Sequence, residues 1–254
     1  MATASPLAQL ARLGADPGLS LADGALAFAA VHGDNGDLAA LDGWAEGLSR
    51  TDGIGALADR LSGLRLDEAE PRQLPQVLAE GAGTPAALAI LWLEVARRAG
   101  WDAEALAFPG LVPVRLTDGD GRRVIVDPTS GGAPLQPADL RAVVKAAEGA
   151  AAELRPELFI PMSNRAILLR LQTEIRGAAL HDGRVTQAVA VVDAMLAFAP
   201  DEVPLWREAG MMNLRLDRMA AAIAALEQFA ARTANGAARR RTQQLLHELR
   251  ARLP

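Results

Sequence analysis

The sequence predicts an α+β protein that is mostly helical, with a small antiparallel sheet near its middle and an all-α tail. Three observations predict it. Residues 84–100, TPAALAILWLEVARRAG, read as one apolar helix whose start and stop are both encoded. After Gly100 the apolar period shortens, and residues 105–108, 112–116 and 124–127 are short and rich in β-formers. From Ser163 onward the pattern is helical and repeats at a period of about 34 residues.

Composition agrees with a helical core. Of 254 residues half are apolar, yet only 4% are aromatic and none is Tyr, so Ala, Leu and Val must fill the interior. Small aliphatic residues favour closely packed helices over a sheet sandwich. A net charge of -5 argues against general nucleic-acid binding, which needs a basic surface. The absence of Cys excludes disulfides, thiolate metal sites and a cysteine nucleophile. The amino-terminal residues lack the basic and apolar regions of a signal peptide. The longest apolar run, residues 85–93, is too short to cross a bilayer and ends at Glu94. A cytoplasmic protein without membrane attachment is the expectation.

The central helix justifies its limits residue by residue. Thr84 is placed to cap, its hydroxyl accepting a free first-turn N–H, and Pro85 suits the first helical position. Arg97 and Arg98 complement the dipole in the last turn, and Gly100 can take the left-handed stop.

Upstream, Leu7, Leu10, Ala11 and Leu13 predict a first helix that ends before Asp16-Pro17-Gly18. Ser20 caps a second, followed by turn chemistry at residues 32–36. A third helix is expected over residues 37–50, a fourth along Leu57, Leu61 and Leu64, a surface loop over 65–73, and a short helix over 74–80. Downstream, residues 117–121, TDGDG, read as a hairpin loop. Residues 137–148 return to helix, and 153–161 form an irregular connection.

In the tail, residues 182–184 align with 216–218, Ala188 with Ala222, Val192 with Leu226, and Met195 with Phe229. This is the tetratricopeptide pattern of paired antiparallel helices, in which small residues let helices approach. Two units cannot bury their own ends. Residues 237–253, with Leu245, Leu246, Leu249 and Leu253 along one face, are then a capping helix, and upstream residues must cover the first end. The expected division is 1–160 for the core with its amino-terminal helices and 161–254 for the repeats and cap.

Several motifs, taken in order, resemble those of the bacterial SirB-type proteins. They are Gly83-Thr84-Pro85 with its helix, Phe108-Pro109-Gly110, the hairpin, Val126-Asp127-Pro128 with Gly131-Gly132, and residues 163–170 (SNRAILLR) before the repeats. The resemblance covers roughly residues 19–253 and implies a papain/transglutaminase-like core joined to a tetratricopeptide tail. Active members of the transglutaminase-like class use Cys, His and Asp, with the Cys opening the central helix. Carried onto this chain, the Cys position falls at Pro85, with Ala87 where the family tends to carry a small hydroxyl residue. The His position falls at Leu111 and the Asp position at Asp127. Without nucleophile or base the ancestral acyl transfer has no route, so no catalytic residue is assigned.

Each candidate has a plainer role to set beside it. Asp127 is more readily explained by bonding backbone N–H groups of its turn, and Thr84 by capping. His32, His181 and His247 are read as solvated, because none stands at metal-ligand spacing from another. Asp118 and Asp120 lack the Glu that would close a calcium loop, and Gly81-Ala82-Gly83 lacks the Lys of a phosphate loop. No cofactor or metal is expected. The arginines around residues 239–241 suit a solvated helix face. By the repeat register Arg170, Thr173, Arg207 and Met211 line the tetratricopeptide groove, where Arg170 and Arg207 could hold a peptide carboxylate.

The sequence therefore predicts a non-catalytic module that binds a protein or peptide, through the repeat groove or through an emptied cleft around Thr84, Pro85, Ala87, Leu111 and Asp127. The alternatives are a residual amide hydrolase or acyl transferase using Asp127 with Thr84 or Ser130, and a regulator acting through protein contacts. Direct DNA contact is not expected, since no helix-turn-helix is recognisable.

Overall fold

A computed structural model describes residues 5–251. The contacts divide the chain into two units: Gly18–Glu174 forms a core, and the residues before and after it form a helical repeat unit. The sequence-based division at 160 differs from this at both ends. The first helix, α1 (Pro6–Gly14), packs on a repeat helix rather than on the core, and residues 161–174 belong to the core.

In the core, α2 (Leu21–Val31) starts where Ser20 Oγ accepts the Asp23 N–H at 3.3 Å. The helix expected over 37–50 is only α3 (Ala40–Ala45). Gly47 takes a left-handed φ of 74° just past its end, which stops propagation. Next come α4 (Gly53–Leu61) and α5 (Leu74–Glu80). The loop between them opens with a two-residue strand, β1 (Arg65–Leu66), which pairs in parallel with β2 (Ala82–Gly83). Arg72 ties the rest of that loop down by bonding Asp67, Glu70 and Glu80.

The next helix, α6 (Pro85–Arg98), is the axis of the core, and every residue from Pro85 to Ala96 is buried. A helix apolar on nearly all sides can only sit inside. Its stop is a Schellman motif. Gly100 has φ 83°, its N–H donates to Arg97 O at 3.0 Å, and the Trp101 N–H donates to Ala96 O at 2.9 Å.

That turn feeds straight into a four-stranded antiparallel sheet in sequential order: β3 (Asp102–Ala105), β4 (Val114–Thr117), β5 (Arg123–Asp127) and β6 (Ala133–Pro134). The first strand lies ahead of the expected 105–108. Chain leaving the Schellman turn pairs at once, with Asp102 opposite Thr117, while Phe108 turns back on Leu111 around a left-handed Gly110. The β4–β5 loop is the hairpin expected, and Asp118 Oδ1 accepts the N–H groups of Asp120 and Arg122 at 3.0 and 2.8 Å. The sheet reaches α6 through the bend after β5. A Cβ on Gly132 would stand 2.0 Å from Trp92, so only glycine allows this approach. On the other side, α7 (Pro137–Glu148) and a 3₁₀ turn, Pro156–Phe159, enclose a cluster of Leu106, Phe108, Leu111, Leu140, Val144 and Leu158.

The division between units falls inside α8 (Asn164–His181). The repeat unit continues with α9 (Val185–Phe198), α10 (Val203–Arg215), α11 (Met219–Arg232) and α12 (Gly236–Arg250). The repeat register reappears in the backbone. Gly183 and Asp217 occupy equivalent turns with φ of 71° and 55°. After them the Arg184 N–H donates to Ala179 O at 2.7 Å and the Arg218 N–H to Asn213 O at 2.9 Å. A Cβ on Gly210 would stand 2.6 Å from Leu226, which shows how closely α10 meets α11. Helix α1 packs on α9 so tightly that a Cβ on Gly14 would strike the Phe198 carbonyl at 1.9 Å. At the far end α12 closes the array with Leu246 and Leu249 against Ile223, Leu226 and Ala230, as a cap should. Leu253, expected on the same face, lies outside the described residues.

Candidate functional site

Thr84 sits at the N-cap of α6 with extended backbone, as its position requires, but its hydroxyl makes no capping bond. Oγ1 is buried and meets no partner at hydrogen-bonding geometry. The free amide end of the helix is served instead by a carboxylate from α8: Glu174 Oε2 accepts the Ala86 N–H at 3.3 Å. A helix N-terminus favours a negative group there. Burial raises the pKa of Glu174, opposed by Arg170 and by the Ala86 N–H. Arg170 Nε lies 3.3 Å from Glu174 Oε1, one helical turn away. The corner where α6 begins is therefore a closed polar knot of Thr84, Ala86, Arg170 and Glu174, with Pro85 and Ala87 fully inside.

The other two positions of the expected cleft have separate surroundings. Leu111, 9% exposed, belongs to the apolar cluster with Phe108 and Leu140. Asp127, also 9% exposed, organises the bend after β5. Its Oδ1 accepts the N–H and the hydroxyl of Thr129 at 2.8 and 2.6 Å, and its Oδ2 accepts the Ser130 hydroxyl at 2.8 Å. Both hydroxyls thus serve the turn. Among the described residues no three His, Asp or Glu side chains come together as a metal site.

The four groove candidates divide between the units. Arg170 and Thr173 fall in the core, where Arg170 pairs with Glu174 and the Thr173 hydroxyl bonds back to Leu169 O at 2.8 Å. Arg207 and Met211 fall in the repeat unit, on the wall of a cavity of about 410 Å³ between α10 and α12. Leu226 forms part of its lining, and α12 contributes Arg241, Thr242 and Leu245. Met211 is 38% exposed within it.

Of the histidines, His181 and His247 are exposed as expected. His32 is not fully solvated: its Nε2 is buried without a partner, and burial lowers its pKa.

Comparison with known proteins agrees with this division. Residues 64–173 match the family model of the transglutaminase-like superfamily, and residues 175–247 match that of the tetratricopeptide repeat. The chain carries a transglutaminase-like domain followed by tetratricopeptide repeats. It is similar to the UPF0162 protein of Xylella fastidiosa strain Temecula1, 30% identical over 165 residues, or 63% of this chain and 58% of that one. The UPF0162 protein of strain 9a5c is 31% identical over 152 residues, 58% of this chain and 54% of its own length. The matched stretch thus spans little more than half of either relative. No solved structure matches the chain.

The sequence reading missed Glu174 and placed Arg241 on a solvated helix face. Glu174 follows Arg170 by one turn, the spacing of an ordinary helical ion pair, and nothing local in the sequence aims it at α6. Arg241 did carry a signal: it stands 34 residues after Arg207, so the tetratricopeptide register continues into α12.

Proposed function

We propose that this protein is a non-catalytic transglutaminase-like/tetratricopeptide protein that binds a protein or peptide. The observation that carries the reading is the closed start of α6. The position where the related enzymes hold their nucleophile is a buried proline, and the Glu174 carboxylate already occupies the adjoining amide end. A thiolate there would draw its reactivity from the same helix terminus. The position corresponding to the base is a leucine within an apolar cluster, so no group stands ready to take a proton. Asp127, the remaining member, holds its own turn. The repeat unit, by contrast, presents an open cavity with cationic and apolar walls.

The test pairs activity with binding. Amidase and acyl-transfer rates of the wild type and of Asp127→Asn should be equal and at background. A wild-type rate above background that disappears in Asp127→Asn would favour the residual hydrolase instead. Peptide binding that is lost in Met211→Glu, at a position on the cavity wall, would support the binding module.

A further inference from the structure

A second cavity of the repeat unit, of about 500 Å³, lies where α9 and α11 flank α10. It meets another face of α10 than Arg207 and Met211 do, lined by Trp206, Ala209 and Asn213. The floor is apolar and built from the buried Leu196, Ala209 and Ala225. Alanines at positions 221 and 224 of α11 leave open the space that longer side chains would fill. A cavity of this size falls within the range of small-molecule sites.

Two opposite charges share its wall without meeting. Asp193, from α9, forms no ion pair and accepts no hydrogen bond among the described residues. Arg218, at the start of α11, is likewise unpaired among them, yet its charge acts on the Asp193 carboxylate. Desolvation between the helices raises the pKa of that carboxylate, and Arg218 opposes the rise. The register-equivalent acid 34 residues on, Glu227, is instead closed off by an ion pair with Arg250 at 2.5 Å. Between the charges Asn213, 5% exposed, donates its amide N–H to Ala209 O at 2.9 Å. Its Oδ1 is left with no donor among the described residues. Further along α10 the Trp206 indole is held in place, with Nε1 donating to Pro200 O at 2.9 Å and Arg232 lying over its ring.

A carboxylate and a guanidinium held apart over an apolar floor are complementary to a zwitterion with an apolar side chain. We propose that this cavity binds a free α-amino acid. Its ammonium donates to Asp193 and to Asn213 Oδ1, its carboxylate accepts from Arg218, and its apolar side chain lies against Leu196, Ala209 and Trp206. An α-amino acid carries its two charges one carbon apart, so with a hydrogen bond at either end it bridges roughly 8 Å. A peptide bond at either end removes one of the two charges, which restricts the ligand to the free monomer. The site is separate from the peptide-binding cavity described above and stands or falls independently of it.

Isothermal titration calorimetry of the full chain tests this with leucine, methionine and serine, and with N-acetyl-leucine and leucinamide, which each lack one charge. Leucine and methionine should bind, and serine and both blocked leucines should be weaker by about tenfold or more. Asp193 and Arg218 are both exposed, so the fold tolerates their replacement. Asp193→Asn should weaken leucine and leave N-acetyl-leucine as it was, while Arg218→Gln should weaken leucine and leave leucinamide as it was. Ala224→Leu, which fills the cavity from an exposed position of α11, should abolish binding. Glu227→Gln, at the equivalent acid outside the cavity lining, should bind as wild type does. Leucine binding unchanged in both Asp193→Asn and Arg218→Gln would overturn the assignment, as would equal binding of leucine and its two blocked forms. So would the absence of both heat and a rise in melting temperature at about 10 mM leucine, since a ligand held by several charge-assisted bonds must stabilise the folded chain at that concentration.

Discussion

Glu174 Oε2 accepts the backbone N–H of Ala86 at 3.3 Å, so a carboxylate from α8 caps the central helix in place of the Thr84 hydroxyl. Burial lifts its pKa above the ordinary 4.5, which means that the protonated form is favoured in the fold relative to the unfolded chain. The stabilising contribution is then complete below that value and is lost as pH rises through the folded value. In urea titrations over a pH series, wild type should lose stability relative to Glu174→Gln as pH is raised from 4.5. A gap that moved toward wild type would show that the Ala86 N–H and Arg170 outweigh the burial.

Gly132 combines a left-handed φ of 80° with contact against Trp92. Gly132→Ala should lower stability by about 2–4 kcal/mol, the sum of backbone strain and overpacking. Gly131→Ala shares the left-handed φ of 64° but faces open space, so it should lose only the backbone part, about 1 kcal/mol. Chemical denaturation of the two variants separates the effects.

If Asp127 is structural, removing it must cost stability. Asp127→Ala gives up three hydrogen bonds at the bend and should destabilise by about 2–3 kcal/mol, against about 1 kcal/mol for Ser130→Ala. A loss for Asp127→Ala no larger than that for Ser130→Ala would contradict this account.

Leu111→His places an imidazole among Phe108, Leu140 and Val144. The expected loss is about 2–3 kcal/mol at neutral pH, larger in acid, because charging a buried ring adds desolvation. Thermal melts at two pH values check it.

The equivalent turns at Gly183 and Asp217 both need positive φ. Gly183→Ala should cost about 1–2 kcal/mol, while Asp217→Gly should be neutral or stabilising by up to about 1 kcal/mol. The same sign for both substitutions would break the equivalence.

Local chemistry was legible wherever a short stretch of chain carried its own instructions. Pro85 at the start of α6 and the glycine stop at Gly100 needed only neighbours in sequence, as did the hairpin ordered by Asp118 and the helices of the 34-residue repeat. The long third helix was misread because its apolar spacing continues past Gly47, whose left-handed backbone ends it. In the site, Asp127 showed its turn role in the sequence, since its partners lie two and three residues away. Arg170 did not, since its ion pair is shared with a carboxylate that reaches a helix 88 residues distant in the chain.

The sequence by itself determined the helical character, the small sheet, the repeat period and the absence of any cysteine, because periodicity and residue identity are properties of the chain. Only the tertiary structure decided that α1 joins the repeats, that Glu174 caps α6, and that Arg241 rather than Arg170 shares a cavity with Arg207. The physical reason is that caps, ion pairs and cavities depend on distances of a few ångströms between residues remote in sequence, and those distances are set only when the helices pack.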